Sequence, residues 1–263
     1  MAATIKNPYG LHPETGELVH VGEVPKGLDC GCICPACKSP LQAKKGDKRA
    51  HHFAHHNVPE CASGLQTTLH LLGKEILATA DHFSLPAVPF RTDAFHAVLA
   101  PAQTVEIDTV VLEQRLEDII PDIILTSGGR KLMVEIAVTH FVDAVKEEKI
   151  KKLGISALEI FVDPKIPDFL DYERLQRLVL DDLDSKLWIY NAQAAAVEKD
   201  IEKYLRRVIE IRKVVEGYGH ERLHGGRIFN CPVSSYKTRR GIPYVDFMSC
   251  VYCQGSRLVP CNN

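Results

Sequence analysis

The feature that most restricts this 263-residue chain is a run of metal-type donors near its start. Cys34 and Cys37 form a CxxC step, His52 and His55 stand in the string HHFAHH, Cys61 lies beyond, and Cys30 and Cys32 lie just upstream. A CxxC turn offers two thiolates from one tight loop, and zinc takes four N or S donors in a tetrahedron. The spacing therefore points to one Zn²⁺ held by Cys34, Cys37, His52 and Cys61, with His55 as the substitute imidazole and Cys30 or Cys32 as further candidates. Four protein donors leave no open position for water, which makes such a site a staple rather than a reaction centre. Residues 1–62, rich in Gly, Pro, Cys and His and without a helical period, read as a module ordered by that metal.

All nine cysteines lie at the two ends of the chain, none between Cys61 and Cys231. Clustered thiols favour metal in a reducing compartment over a disulfide frame. At the far end Cys231, Cys250, Cys253 and Cys261 offer a second zinc set, a ribbon-like module over residues 217–263. No long apolar run and no secretory signal is seen, so a cytoplasmic, membrane-free protein is expected. The net charge of -2 is uneven: residues 26–56 and 217–263 each carry 6 Lys or Arg against 2 Asp or Glu, while the middle is acidic. Basic ends suit contact with phosphate, and an acidic middle suits cations.

Between the ends the patterning is that of an α/β or α+β core over residues 63–190. Leu69, Leu72, Ile76, Leu77 and Ala80 recur at three and four along a helix from Gln66 to Ala80, with His70 and Lys74 on another stripe. Residues 105–114, 121–126, 131–140 and 156–164 read as strands, and 141–154 as the helix that crosses between the last two and ends on Gly154. Residues 191–216 follow, with Gln193–Glu216 as a charged amphipathic helix suited to packing on the core, on a second copy or on a protein partner.

The hairpin within that core is where chemistry is expected. Gly128-Gly129 between two apolar strands is a favoured two-residue turn, and it sets Ser127 against Arg130 and Asp122 against Glu135. Opposed residues have Cβ atoms about 5 Å apart, where two carboxylates repel unless a cation lies between them. The apolar neighbours Ile123, Ile124, Leu125, Val134, Ile136 and Val138 place both acids within buried strands, which points to Mg²⁺ or Mn²⁺ held by one or two carboxylates. Glu113, on the preceding strand, is a candidate third acid.

The order CxxC, HFAH, a helix carrying HLLGKE, then PD and a Glu on consecutive strands resembles the competence protein CoiA-like family. The centre of that family belongs to the PD-(D/E)XK nuclease superfamily, and the resemblance spans most of residues 30–163. It implies a restriction-endonuclease-like mixed sheet flanked by helices, in which Asp122 and Glu135 hold Mg²⁺ while water attacks a DNA phosphate. One position departs: two residues after the Glu, where the superfamily has Lys and CoiA-like proteins often Gln, this chain has Ala137. Lys146 or Lys149 on the following helix, Lys74 on the leading helix, or His140 at the strand end are the candidates to supply the missing cation or proton carrier. The function expected is Mg²⁺-dependent DNA hydrolysis in the handling of incoming DNA, in recombination or in phage defence. The alternative is a catalytically inactive, zinc-stabilised protein that binds nucleic acid or a partner on a nuclease-like fold.

Overall fold

The structure is a computed structural model and describes residues 6–92, 95–166, 170–201 and 203. Cys231, Cys250, Cys253 and Cys261, and with them the second zinc module, lie outside the described residues, as does most of the 193–216 helix, whose start is helical over 192–201. The chain divides into two compact units, Met1–Pro86 with Ala102–Tyr190, and Ala87–Pro101 with Asn191–Asn263. The modules expected at 1–62 and 63–190 thus fall in the first unit, apart from 87–101.

The N-terminal part of the first unit is built from short strands: β1 (Tyr9–Leu11) pairs with β2 (Leu18–His20), and β3 (Leu41–Lys44) with β4 (His52–His55). Its small core is Val21, Cys30, Cys32, Cys34, Leu41, Ala43 and Phe53. Helix α1 (Gly64–Ala78) follows, then β5 (His82–Leu85). In the second unit β6 (Val88–Thr92) pairs with β7 (Phe95–Ala100) as a hairpin.

Back in the first unit, β8 (Gln103–Glu106) pairs with β5. The strand expected over 105–114 is two: β8 ends at Glu106, and β9 (Thr109–Leu112) begins a different sheet. That sheet has five strands, adding β10 (Ile123–Ser127), β11 (Arg130–Ala137), β12 (Ser156–Phe161) and β13 (Lys186–Tyr190), in the order β13-β12-β11-β10-β9. β9, β10 and β11 form an antiparallel meander, α2 (Ala144–Leu153) crosses to β12, which lies parallel to β11, and α3 (Tyr172–Leu180) leads to the antiparallel edge β13. The result is the expected mixed sheet flanked by helices.

Local chemistry explains the central pieces. Gly128 and Gly129 have φ of +54° and +72°, the paired positive values that a tight hairpin turn demands. The observed register, Ile123 opposite Val134 and Ser127 opposite Arg130, is the one that this turn dictates. Asp143 caps α2 by accepting from the Lys146 N–H, and Gly154 ends it in the left-handed conformation.

The two faces of the sheet bury different sets, as the alternation of side chains along a strand requires. Val134, Ile136 and Val138 with Leu158, Ile160 and Val162 pack against Leu69, Leu72, Ile76 and Leu77 of α1 and Leu175 and Val179 of α3. Met133 and Ala157 face Ile150 of α2. Helix α1 comes unusually close: a Cβ on Gly73 would stand 2.7 Å from Ile136 Cδ1. That approach brings the next residue, Lys74, to the strand ends.

Candidate metal centres

Cys34 and Cys37 flank a tight knuckle in which the Lys38 N–H donates to Cys34 O and the Cys34 N–H to Ser39 O, with Lys38 at φ +61°. β4 delivers His55 to this knuckle, and the segment before α1 delivers Cys61. The donor atoms of Cys34, Cys37, His55 and Cys61 all lie within 4.8 Å of one another, which makes this the one metal-competent cluster of three or more such side chains among the described residues. Zinc fits the set. Cys37 Sγ is 3.2 Å from His55 Nε2, close to the roughly 3.5 Å that separates S and N across a zinc tetrahedron. The other ring nitrogen, Nδ1, is 2.9 Å from Glu60 Oε2, so a carboxylate orients the imidazole and leaves Nε2 for the metal. Hydrogen bonds from Ser39 foremost, with His55 and Cys34 assisting, lower the Cys37 thiol to about 6, toward the thiolate that zinc requires.

His52, the first choice from spacing, is not in this cluster. It stands three residues from His55 on a strand, so the two side chains leave opposite faces. His52 is buried, and its Nδ1 lies 2.9 Å from Ala50 O. Cys30 and Cys32 are also outside the cluster: their thiols reach Leu41 O and Cys30 O, and both are buried in the small core.

The second centre lies where β10 and β11 are held between α1 and α2. Asp122, just before β10, is gripped from three sides. His70 Nε2 stands 2.9 Å from Oδ2, the Ile136 N–H donates to the same oxygen at 3.0 Å, and Lys74 Nζ stands 3.0 Å from Oδ1. Lys74 also donates to Glu113 Oε1 at 2.7 Å. Burial pushes the Asp122 carboxyl up, but His70, the Ile136 N–H and Lys74 together outweigh it and hold it well below the ordinary carboxylate range. Lys74 itself is desolvated, yet Glu113 and Asp122 raise it above its ordinary value and keep it charged.

Glu135 behaves oppositely. It is 5% exposed, and burial first, with the Asp122 charge adding, lifts its carboxyl to about 7 against the pull of Lys146. Lys146 Nζ stands 2.7 Å from Glu135 Oε1, yet that oxygen has no partner with hydrogen-bond geometry. A buried carboxylate with an oxygen outside any well-aligned hydrogen bond, next to a second carboxylate, is a fit for a small divalent cation.

Of the other candidates, Glu113 lies just past β9 at φ +50°, mostly exposed but tied to the site through Lys74. Lys149 pairs with Asp118 instead. His140 lies three residues past the end of β11, exposed, and among the described residues no hydrogen bond or ion pair links it to the acids. Ala137 is buried and paired with Phe161.

Two site residues escaped the reading of the strands. Glu159 sits opposite Glu135 across the parallel ladder, buried, and accepts from the Val142 N–H at 2.6 Å. Burial raises its carboxyl, with Val142 and Lys146 opposing. His70 shares a helical stripe with Lys74, and that four-residue spacing is the signal that both reach one acceptor, Asp122.

Residues 29–64 match the family described as Competence protein CoiA, N-terminal domain. The matched stretch contains Cys34, Cys37, His55 and Cys61 and ends at the start of α1, before the acid centre. No curated protein and no solved structure matches the chain.

Proposed function

We propose that the chain is a Mg²⁺- or Mn²⁺-dependent deoxyribonuclease, related to the competence proteins whose N-terminal domain it matches, on a restriction-endonuclease-like core. The observation that carries this reading is the buried Glu135 carboxylate, raised in pKa although Lys146 pairs with its Oε1, set beside the ionised Asp122. Asp122 and Glu135 would hold the cation, with Glu159 next to Glu135 and Glu113 next to Lys74. The bound ion would polarise the phosphate and lower the pKa of a water.

The remaining work belongs to side chains already in place. His70, Lys74 and the Ile136 N–H fix the Asp122 carboxylate in orientation, so that little is lost in ordering it when a cation arrives. Lys146 supplies, from α2, a positive charge at Glu135 in place of the one that Ala137 lacks on the strand. There it can offset charge that builds on the phosphate or steady the attacking water. The competence-type match supports a role in handling incoming DNA, and recombination or phage defence suits the same chemistry.

Incubation of the purified, zinc-replete protein with linear and circular DNA in Mg²⁺ or Mn²⁺ tests this reading. Cleavage that Glu135→Ala and Asp122→Asn abolish, with zinc content and circular dichroism unchanged, is the expected result. Intact DNA under both cations sinks it. Ala137 favours one rival, a binding protein on the same fold that no longer cuts, and DNA affinity without cleavage would select it.

A further inference from the structure

A cleft of about 660 Å³ lies on the N-terminal part of the first unit, at the β3–β4 hairpin, away from the zinc donors. Lys26, Lys44, Lys45, Lys48 and Arg49 line it with the buried His52, and Asp47 is the one carboxylate among its lining residues. None of the five cations forms an ion pair with a carboxylate among the described residues, so the charge they gather around the cleft is offset there by Asp47 alone. The floor is rigid: β3 and β4 are laddered, and Gly27 and Ala43 exchange backbone hydrogen bonds at 3.0 Å. Lys45 is further fixed by donating to Gly22 O and Val24 O.

We infer that this cleft is a phosphate-backbone grip for a nucleic-acid strand. The inference rests on the nuclease reading for the identity of the strand as DNA. Uncompensated cations around a preformed groove raise the local potential and favour a polyanion over an isolated anion. The lining has no Phe, Tyr or Trp, and its one aromatic ring, His52, is buried, so the contact positions a strand without reading its sequence. His52 thereby acquires a place that the zinc cluster does not give it: its Nδ1 is turned to Ala50 O while it lines the cleft. Because His55 leaves the same strand on the opposite face, the zinc ion and the grip share β4, and the metal stiffens the platform that presents the charges.

The test measures binding without cleavage, by fluorescence anisotropy of labelled single- and double-stranded oligonucleotides of unrelated sequence in Ca²⁺ or EDTA over a range of KCl. The full chain is compared with Lys48→Glu/Arg49→Glu and with the equally charged control Lys131→Glu/Lys165→Glu, each checked for zinc content. Loss of two phosphate contacts should weaken binding about tenfold at physiological salt and reduce the salt slope by about 2, while the control stays within about twofold of wild type. Equal affinity of the two double variants overturns the proposal even where the wild type cuts DNA. A wild type that binds but never cuts leaves the grip standing and sinks the nuclease. Absence of DNA binding at any salt overturns the grip, as does a double variant that loses only its binding to anionic phosphatidylglycerol vesicles.

Discussion

Glu135 and Glu159 stand opposite each other on the parallel strands β11 and β12, 5% and 7% exposed, with burial raising the pKa of both. Lys146, 2.7 Å from Glu135 Oε1, opposes the rise at both carboxyls, and burial outweighs it. The protein therefore has a built-in dependence on protons at this point, and a divalent ion would replace those protons.

A folded-state value of about 7 for Glu135, against 4.5 for the free group, means that the native chain binds more protons than the unfolded chain between those values. Stability contributed by this group is thus greatest below about pH 4.5 and falls as pH rises through 7. Glu135→Gln should be more stable than wild type at pH 8, by up to about 3 kcal/mol, with the gap closing toward pH 5. Urea denaturation of both proteins at the two pH values reads this directly, and a gap that does not change with pH contradicts the assignment. Added Mg²⁺ should raise the wild-type midpoint at pH 8 and leave Glu135→Gln nearly unmoved.

The zinc assignment separates two histidines. His55→Ala should lower zinc content by one equivalent per chain and destabilise the whole first unit, whereas His52→Ala should keep its zinc. Glu60→Gln should weaken zinc affinity about 10- to 100-fold, because Glu60 orients the His55 ring. Metal analysis after dialysis against graded chelator distinguishes the three, and zinc loss from His52→Ala alone would restore the order that spacing suggested.

Lys74 holds two carboxylates at once, and its removal leaves Asp122 half-buried with less compensation. Lys74→Met should cost about 3 kcal/mol, and adding Asp122→Asn should recover part of that loss. Denaturation midpoints for the two singles and the double close the cycle, and strict additivity would show that the pair is not coupled.

Lys146 and Lys149 lie three residues apart on α2 but reach different acids, Glu135 and Asp118. On the proposed nuclease function, Lys146→Met should slow cleavage about 100-fold or more while DNA affinity changes little, and Lys149→Ala should cut at the wild-type rate. Equal losses from both would mean that α2 contributes general positive charge rather than a placed cation.

Much of this architecture could be read from short-range pattern. The Gly128-Gly129 turn sets the register from Ser127 against Arg130 to Ile123 against Val134, with Asp122 and Glu135 next along the two chains, because only two residues separate the strands and side-chain alternation leaves a single pairing. The helical period of α1, the capped crossover α2 and the CxxC knuckle are likewise local. Helix α3 has an equally local signal in its Asp171 cap and its buried Leu175, Leu178 and Val179, whereas β13 is an edge strand with mixed burial and carries little.

Where the local pattern offered two equivalent choices, the tertiary structure made the selection. Sequence alone determined that a Cys/His set should bind zinc and that two acids should meet on a hairpin. The pleat of β4 decided that His55 rather than His52 faces the cysteines. Packing of α1 against Ile136 through Gly73 brought His70 and Lys74 to Asp122, and the parallel return of β12 set Glu159 beside Glu135. Those partners are 24 to 63 residues apart in the chain, so their meeting depends on how helices and strands bury their apolar faces, which no spacing motif records.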